Sequence, residues 1–136
     1  MTTPCASGLH LIADLAARRG LDDCAWIEAT LREAAAAARV TVLDVRLHHF
    51  GGHNGVTGVA LLAESHISIH TWPEHGLAAI DVFVCGALAD PRAALAVIEA
   101  RLDGTARFVS EIPRLAARGE MPHESDQRRP HDQHRR

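Results

Sequence analysis

Tyrosine is absent from this 136-residue chain, and aromatic residues together make up 4% of it. A surface that stacks nucleic-acid bases needs several aromatic platforms, so this scarcity argues against one. Basic residues are not in excess: 14 Lys and Arg stand against 17 Asp and Glu, a formal net charge of −3 with histidine neutral. That balance gives no general attraction to nucleic acid or to an anionic membrane. Cysteine is sparse too. Cys5, Cys24 and Cys85 are odd in number and form no C-x-x-C pair, so neither a disulfide framework nor a cysteine-built zinc site is expected. No basic segment leading into an apolar run opens the chain, and no apolar run approaches the ~20 residues that span a bilayer. The expectation is a cytoplasmic protein with reduced thiols, without membrane or nucleic-acid partners.

What is present is a globular composition, 47% hydrophobic, at a length that suits one domain with a real core. Residues 8–15 alternate like a strand in their first half, while Leu15, Ala16 and Ala17 also fit a helix start. Asp22 or Asp23 can cap a helix reaching about residue 38, with Trp26, Ile27, Thr30, Leu31 and Ala34 on one stripe facing the core. Strands are predicted at 40–50 and 58–63, separated by the loop G-G-H-N-G (51–55). A further strand covers 78–85, and Asp90-Pro91 opens a second helix that runs to about 102. A last strand follows at 105–112. The domain is expected over 1–119, with a disordered polar tail at 120–136. The order predicts an α+β two-layer sandwich, an antiparallel sheet with helices on one face.

The chemically dense stretch is A-E-S-H-I-S-I-H-T-W-P-E (63–74). Ile67 and Ile69 alternate with His66, Ser68 and His70, the period of a strand. By spacing alone it reads as a half-buried strand with a solvated polar face. Five residues separate strand 65–72 from strand 78–85, a hairpin length. A turn centred on His75 sets Ser65 opposite Cys85. Ile67 and Ile69 then share a face with Asp81 and Phe83, and His66, Ser68 and His70 share the other with Val84, Val82 and Ile80. Both faces are partly apolar in that register. Helices cover one and a second copy covers the other, so a homodimer with stacked sheets is expected.

Ser65, His70 and Cys85 admit three chemistries. A hydrolase would use Ser65 or Cys85 as nucleophile, but no G-x-S-x-G elbow is present. A metal site would draw on His48, His49, His53, His66, His70 and His75. His66 and His70, ~13 Å apart on an extended strand, cannot chelate one ion by themselves. The third chemistry is self-cleavage at Glu64–Ser65.

The stretch 63–86, A-E-S-H-I-S-I-H-T-W-P-E-H-G-L-A-A-I-D-V-F-V-C-G, closely resembles the bacterial S-adenosylmethionine decarboxylase proenzyme family. So do G-V-T-G-V (55–59), H-H-F (48–50) and G-L-H-L (8–11), and the resemblance covers residues 8–112 in order. It implies that Ser65 attacks the Glu64 carbonyl and is converted to a pyruvoyl group, the cofactor, leaving pieces 1–64 and 65–136. It implies His70 as the processing base and Thr57 as the hydroxyl that assists the acyl shift. Cys85 would donate a proton to the decarboxylated substrate, which the pyruvoyl holds as a Schiff base. Phe50, Trp72 and Glu74 would line the substrate pocket, and no metal is implied. The implied product is decarboxylated S-adenosylmethionine, the aminopropyl donor for spermidine in polyamine biosynthesis.

Departures leave the substrate open. The family usually carries Tyr-Gly-Cys after its first strand, where this chain has Ala16-Ala17-Arg18-Arg19-Gly20. The 51–55 loop is also one residue longer than usual. L-ornithine or L-arginine decarboxylation is the alternative within the pyruvoyl class, and a non-catalytic binding or regulatory paralogue is the alternative outside it. The partner in the enzymatic readings is a small amino-acid-type molecule. Strict alternation sets His70 on the face away from Ser65, so a bulge or a turn of the freed Ser65 end is expected to join them.

Overall fold

The alternating apolar positions become strands in the computed structural model of the chain, which describes residues 7–115. Six strands form: β1 (Gly8–Ala17), β2 (Val42–His49), β3 (Val56–Leu62), β4 (Ser65–Trp72), β5 (Leu77–Cys85) and β6 (Gly104–Arg114). Two helices, α1 (Cys24–Ala37) and α2 (Pro91–Arg101), interrupt them. The strands make one sheet in the order β2-β3-β4-β5-β1-β6, antiparallel at every junction. Leu11, Leu15, Ile67, Ile69, Val82 and Val84 form one core with Ile27, Leu31, Leu95 and Ile98 of the helices. This is the expected α+β two-layer sandwich. The tail expected at 120–136 lies outside the described residues.

Local chemistry sets the helix ends. The Asp23 carboxylate accepts from Trp26 N at 3.1 Å and opens α1, and Asp90 does the same for Ala93 N in α2 at 3.1 Å. Such caps are worth about 1 kcal/mol each. Ile27, Thr30, Leu31, Ala34 and Ala35 are the buried stripe of α1. Trp26, expected in the core, is instead a half-buried clasp. Its ring lies between the guanidinium carbons of Arg19 at 4.2 Å and Arg101 at 3.9 Å, and its indole N–H donates to Arg101 O at 2.9 Å. The clasp joins α1 to the end of α2.

The ambiguity at residues 15–17 resolves as strand, because Leu15 and Ala16 find partners on both β5 and β6. The expected register of the β4–β5 hairpin does not hold. Pro73–His75 form a single 3-10 turn that Gly76 closes at φ 62°, with Gly76 N donating to Pro73 O at 3.2 Å. Leu77 is therefore already in the strand, opposite Trp72, and Ser65 faces Val84 rather than Cys85. A slip of one residue exchanges the faces. Ile67 and Ile69 lie with Val82 and Ile80 under the helices, and His66, Ser68 and His70 lie with Phe83, Asp81 and Ala79 on the open face. That open face also exposes Leu61, Trp72, Phe108 and Ile112.

The 51–55 loop is tied to the end of β4 by the buried residue Thr71. Its hydroxyl accepts from Val56 N at 2.8 Å and donates to Leu21 O at 2.5 Å. A Cβ on Gly55 would stand 1.9 Å from Thr71 O, whereas one on Gly52 would meet nothing within 4 Å. We expect Gly55→Ala to cost about 1–3 kcal/mol by overpacking against backbone. Gly52→Ala should cost only the left-handed backbone penalty of about 1–2 kcal/mol. Urea unfolding of the two variants in parallel measures the difference.

Candidate active site

Ala63 and Glu64 are the whole connection between β3 and β4. Two-residue hairpins rely on positive φ within the turn, which is why Asn and Gly dominate them. Neither Ala63 nor Glu64 provides it. Among the described non-glycine residues only Arg39, Ser65, Asp103 and Leu115 have positive φ, and Ser65 stands at 141°. This is territory that glycine tolerates and an L side chain does not, at a cost on the order of 1–3 kcal/mol. The turn is clamped on both sides of it. Ala63 N donates to Thr41 O at 2.9 Å, and the Glu64 carboxylate accepts from Thr41 N at 3.0 Å. The Cys85 thiol, half-buried, donates to Glu64 O at 3.3 Å. The peptide bond between Glu64 and Ser65 thus combines a strained following residue, a hydroxyl on that residue and a donor on its carbonyl oxygen.

The other expected site residues gather at the opposite end of β4. Thr57 and His70 are a cross-strand pair, and Thr57 Oγ1 lies 3.2 Å from His70 Nδ1. With Phe50, Asn54, Trp72 and Glu74 they line a cavity of about 340 Å³. Phe50 is oriented by His48, ring edge to face at 4.7 Å, and Trp72 lies 6.4 Å from the His70 ring. Cys85 borders a separate hollow of about 320 Å³ with Gly8, Leu9 and Val84. A wider hollow of about 520 Å³, lined by Trp72, Phe108, Asp14 and Arg107, touches neither Ser65 nor Cys85. The structure therefore joins Phe50, Thr57, His70, Trp72 and Glu74, and separately joins Glu64, Ser65 and Cys85. Five strand residues at ~3.3 Å each put ~17 Å between Ser65 and His70. No bulge shortens that path, since β4 keeps an unbroken register with both neighbours.

Between the two groups stands a cluster that the slipped register concealed. Asp81 Oδ2 accepts from His10 Nε2 at 2.7 Å and from His66 Nε2 at 2.8 Å, and Ser68 Oγ donates to Oδ1. Arg114 donates to His10 Nδ1 at 3.0 Å. Burial alone would raise the Asp81 pKa, but the donors Ser68, His10 and His66 outweigh it and hold the carboxyl below its ordinary value. The three potential ligand atoms of His10, His66 and Asp81 lie within 4.8 Å of one another. The Arg114 donor, however, needs the Nδ1 lone pair of His10 and leaves the proton on Nε2, the tautomer that donates to Asp81. The set is built as a hydrogen-bonded cluster around a carboxylate. The correct hairpin register is the signal that would have revealed it, because it puts Asp81 opposite Ser68 and diagonal to His66.

The sheet thus carries a strained serine turn at one end of β4 and an aromatic, acid-bearing cavity at the other. Residues 9–115 match the family model described as S-adenosylmethionine decarboxylase. An S-adenosylmethionine decarboxylase proenzyme from Thermomicrobium roseum is 40% identical over 107 residues, 79% of this chain and 92% of that protein. The proenzyme of Pseudomonas paraeruginosa is 43% identical over 93 residues, covering 68% of this chain and 58% of its own length. The crystal structure of the adenosylmethionine decarboxylase from Aquifex aeolicus VF5 superposes with a TM-score of 0.67 at 38% identity, covering 79% of this chain and 88% of that one. The chain belongs to the S-adenosylmethionine decarboxylase family.

The lowered pKa of Asp81 has a consequence in acid. Its pKa is below the ordinary unfolded value near 3.9. The stability it contributes is therefore complete above about pH 5 and is lost as pH falls through the folded pKa. We expect Asp81→Asn to be less stable at pH 7 by about 1–3 kcal/mol, with the gap to wild type closing below pH 4. Denaturant unfolding across pH 3–7 measures this, and a gap that stays constant into acid would refute the assignment.

Proposed function

We propose that the chain is a self-processing, pyruvoyl-dependent decarboxylase of S-adenosylmethionine that works in the cytoplasm as a homodimer. The observation that carries the reading is the Glu64–Ser65 peptide, strained at Ser65 and with the Cys85 thiol on its carbonyl oxygen. Ser65 Oγ attacks the Glu64 carbonyl carbon, and Cys85 donates to the oxygen as negative charge builds there. The C–N bond breaks, the hydroxyl proton ends on the Ser65 nitrogen, and an ester replaces the amide. A base then removes the Ser65 α-proton, and the Glu64 carboxylate leaves. Water adds, ammonia departs and residue 65 is left as a pyruvoyl group heading the fragment 65–136, while 1–64 ends in a free carboxylate. Ser65 suits this fate: its positive φ is lost once the nitrogen departs and its α-carbon becomes planar, so the strain is released with the cut.

A pyruvoyl group at residue 65 supplies a ketone for the substrate amine and an adjacent amide carbonyl that takes up the electron pair left when carbon dioxide departs. Cys85, whose thiol donates to Glu64 O from the neighbouring strand, would return a proton to the substrate carbon. Phe50 and Trp72 flank the cavity at the far end, and Glu74 adds an acceptor for hydroxyl groups. Two aromatic faces and a carboxylate suit the base and ribose of S-adenosylmethionine better than the short aliphatic chains of ornithine or arginine. The product would be the aminopropyl donor for spermidine in polyamine biosynthesis. No helix among the described residues is long and apolar enough to cross a membrane.

The homodimer brings the separated groups together. Open faces stacked about a two-fold axis that lies between the sheets and runs across the strands exchange the two ends of β4. Thr57, His70 and the aromatic cavity of one copy then meet Ser65 and Cys85 of the other. The exposed Leu61, Trp72, Phe108 and Ile112 on that face support its being covered. In this arrangement His70 acts as processing base on the other copy's Ser65.

Intact mass of the purified protein should show fragments 1–64 and 65–136, and Ser65→Ala should remain one chain. Cys85→Ala should slow cleavage on the order of 100-fold through loss of the carbonyl donor. Carbon dioxide release assayed side by side should favour S-adenosylmethionine over ornithine and arginine. A wild-type chain that stays whole after long incubation would overturn the reading. For the shared site, His70→Ala expressed alone should remain uncut. Co-expressed with Ser65→Ala, which contributes an intact His70, the His70→Ala chain should be cleaved. Absence of that rescue in purified mixed dimers would return His70 to its own chain's Ser65.

A further inference from the structure

The grip on residue 64 lies within the piece that residue 64 would terminate. Thr41 N donates to the two oxygens of the Glu64 carboxylate at 3.0 and 3.3 Å, Ala63 N donates to Thr41 O at 2.9 Å, and Leu62 pairs with Val42 on β2. These contacts involve no residue of 65–136, so a cut at Glu64–Ser65 breaks none of them. The partner of the Glu64 carbonyl oxygen comes from the other piece. The Cys85 thiol donates to that oxygen at 3.3 Å, and Cys85 is itself held opposite Gly8 on β1. The contact between Glu64 O and the thiol is thus held from both sides by strand pairings that do not pass through the cut bond. What changes on cutting is the charge. The thiol faces a neutral amide oxygen before the cut and a terminal carboxylate after it.

We infer that the carboxylate left on Glu64 is a working part of the decarboxylase: it keeps Cys85 in the neutral thiol form, the form that can give a proton, and the Glu64 side chain is the positioning residue that holds it there. The inference rests on the self-processing reading above and extends it to the finished enzyme. A carboxylate accepts from an S–H more strongly than an amide oxygen does, and a thiolate in the same place would face a like charge. Both effects favour the protonated sulfur. A cationic sulfonium substrate pulls the other way, toward thiolate, and the carboxylate offsets that pull. The hollow beside Cys85 includes Gly8, Leu9, Gly86 and Ala89, and none of its lining residues except Cys85 titrates. On the open face, the row of β5 that ends in Cys85 also carries Asp81, with His66 on β4, His10 on β1 and Arg114 on β6. Those four are joined to one another by hydrogen bonds, and they are the same before and after the cut. One piece would then carry the reactive ketone, and the other would set the protonation of the acid that serves it.

Alkylation of Cys85 by iodoacetamide across pH, read on the Cys85 peptide by mass spectrometry, follows the thiolate directly. Borohydride reduction of the ketone at residue 65 removes that carbonyl as a variable in the cut protein. The midpoint in cut wild type should lie above that of uncut Ser65→Ala by roughly one pH unit, a tenfold fall in thiolate at fixed pH. In cut Glu64→Ala, which loses the grip on Thr41, the midpoint should fall back toward the uncut value. Glu64→Gln, whose amide oxygen still accepts from Thr41 N, should stay near wild type. The alkaline limb of kcat should move to lower pH in Glu64→Ala by a similar amount, with KM within a few-fold of wild type. Equal midpoints in cut wild type and uncut Ser65→Ala would overturn the inference and leave self-processing standing, and that comparison needs no Glu64 variant. A cut Glu64→Ala protein with the wild-type midpoint would overturn the positioning role of the side chain. A wild-type chain that never cleaves would remove both the inference and the reading beneath it.

Discussion

The pairing of Trp72 with Leu77 decides what the open face of this sheet can do. The Pro73–His75 turn closed by left-handed Gly76 delivers the chain into β5 one residue earlier than a five-residue loop would. Every side chain of β4 takes its neighbours from that choice. With Leu77 opposite Trp72, the isoleucines of β4 meet Ile80 and Val82 under the helices, and the histidines meet Asp81 and Phe83 in the open. One residue of slip would bury Asp81 under α1 and α2, where a carboxylate without donors costs several kcal/mol, and would take its bonds from His10 and His66. The apolar core and the polar cluster thus come from the same turn, and each disfavours the alternative register for its own reason.

Much of the architecture was legible in the residues because it is written in local chemistry. Asp23 and Asp90 begin the helices where side-chain carboxylates meet free N–H groups, and the strands begin and end within two residues of where alternation starts and stops. The register was not legible in the same way. It depends on whether Gly76 joins the turn or the strand, and a glycine after Pro-Glu-His is compatible with both. The same gap hid the Asp81 cluster, whose members are up to 71 residues apart in sequence. Ser65, Cys85 and Glu64 were found by resemblance to a family, and the structure adds what resemblance does not contain: the thiol on the Glu64 carbonyl and the strain on Ser65. The distance between Ser65 and His70 is a property of a regular strand, and the proposed second copy of the chain would bridge it without distorting β4.

Strain and clamping act together at the 63–64 turn. A strained residue in a free loop relaxes, and Ser65 does not because Thr41 grips the turn through both the Ala63 amide and the Glu64 carboxylate, while the β3 and β4 ladders continue on either side. The sheet is therefore stiff where the backbone is least comfortable. A hydroxyl nucleophile gains from this, since the ground state is raised while the carbonyl stays pointed at Cys85.

The strand order has a consequence for what holds the protein together once the turn is cut. The fragment 1–64 would carry β1, β2 and β3, and the fragment 65–136 would carry β4, β5 and β6, yet β1 lies between β5 and β6. The pieces are laced through one another instead of lying side by side. Neither can leave without tearing three ladders at once, β3–β4, β1–β5 and β1–β6, so the cut protein is a two-chain knot tied by hydrogen bonds and held by its core. Untied by denaturant, the pieces must find each other by diffusion, and their reunion would depend on concentration where that of the uncut chain does not. The cut would make the fold's history part of its stability: it is assembled once as a single thread, and afterwards kept by interlacing alone.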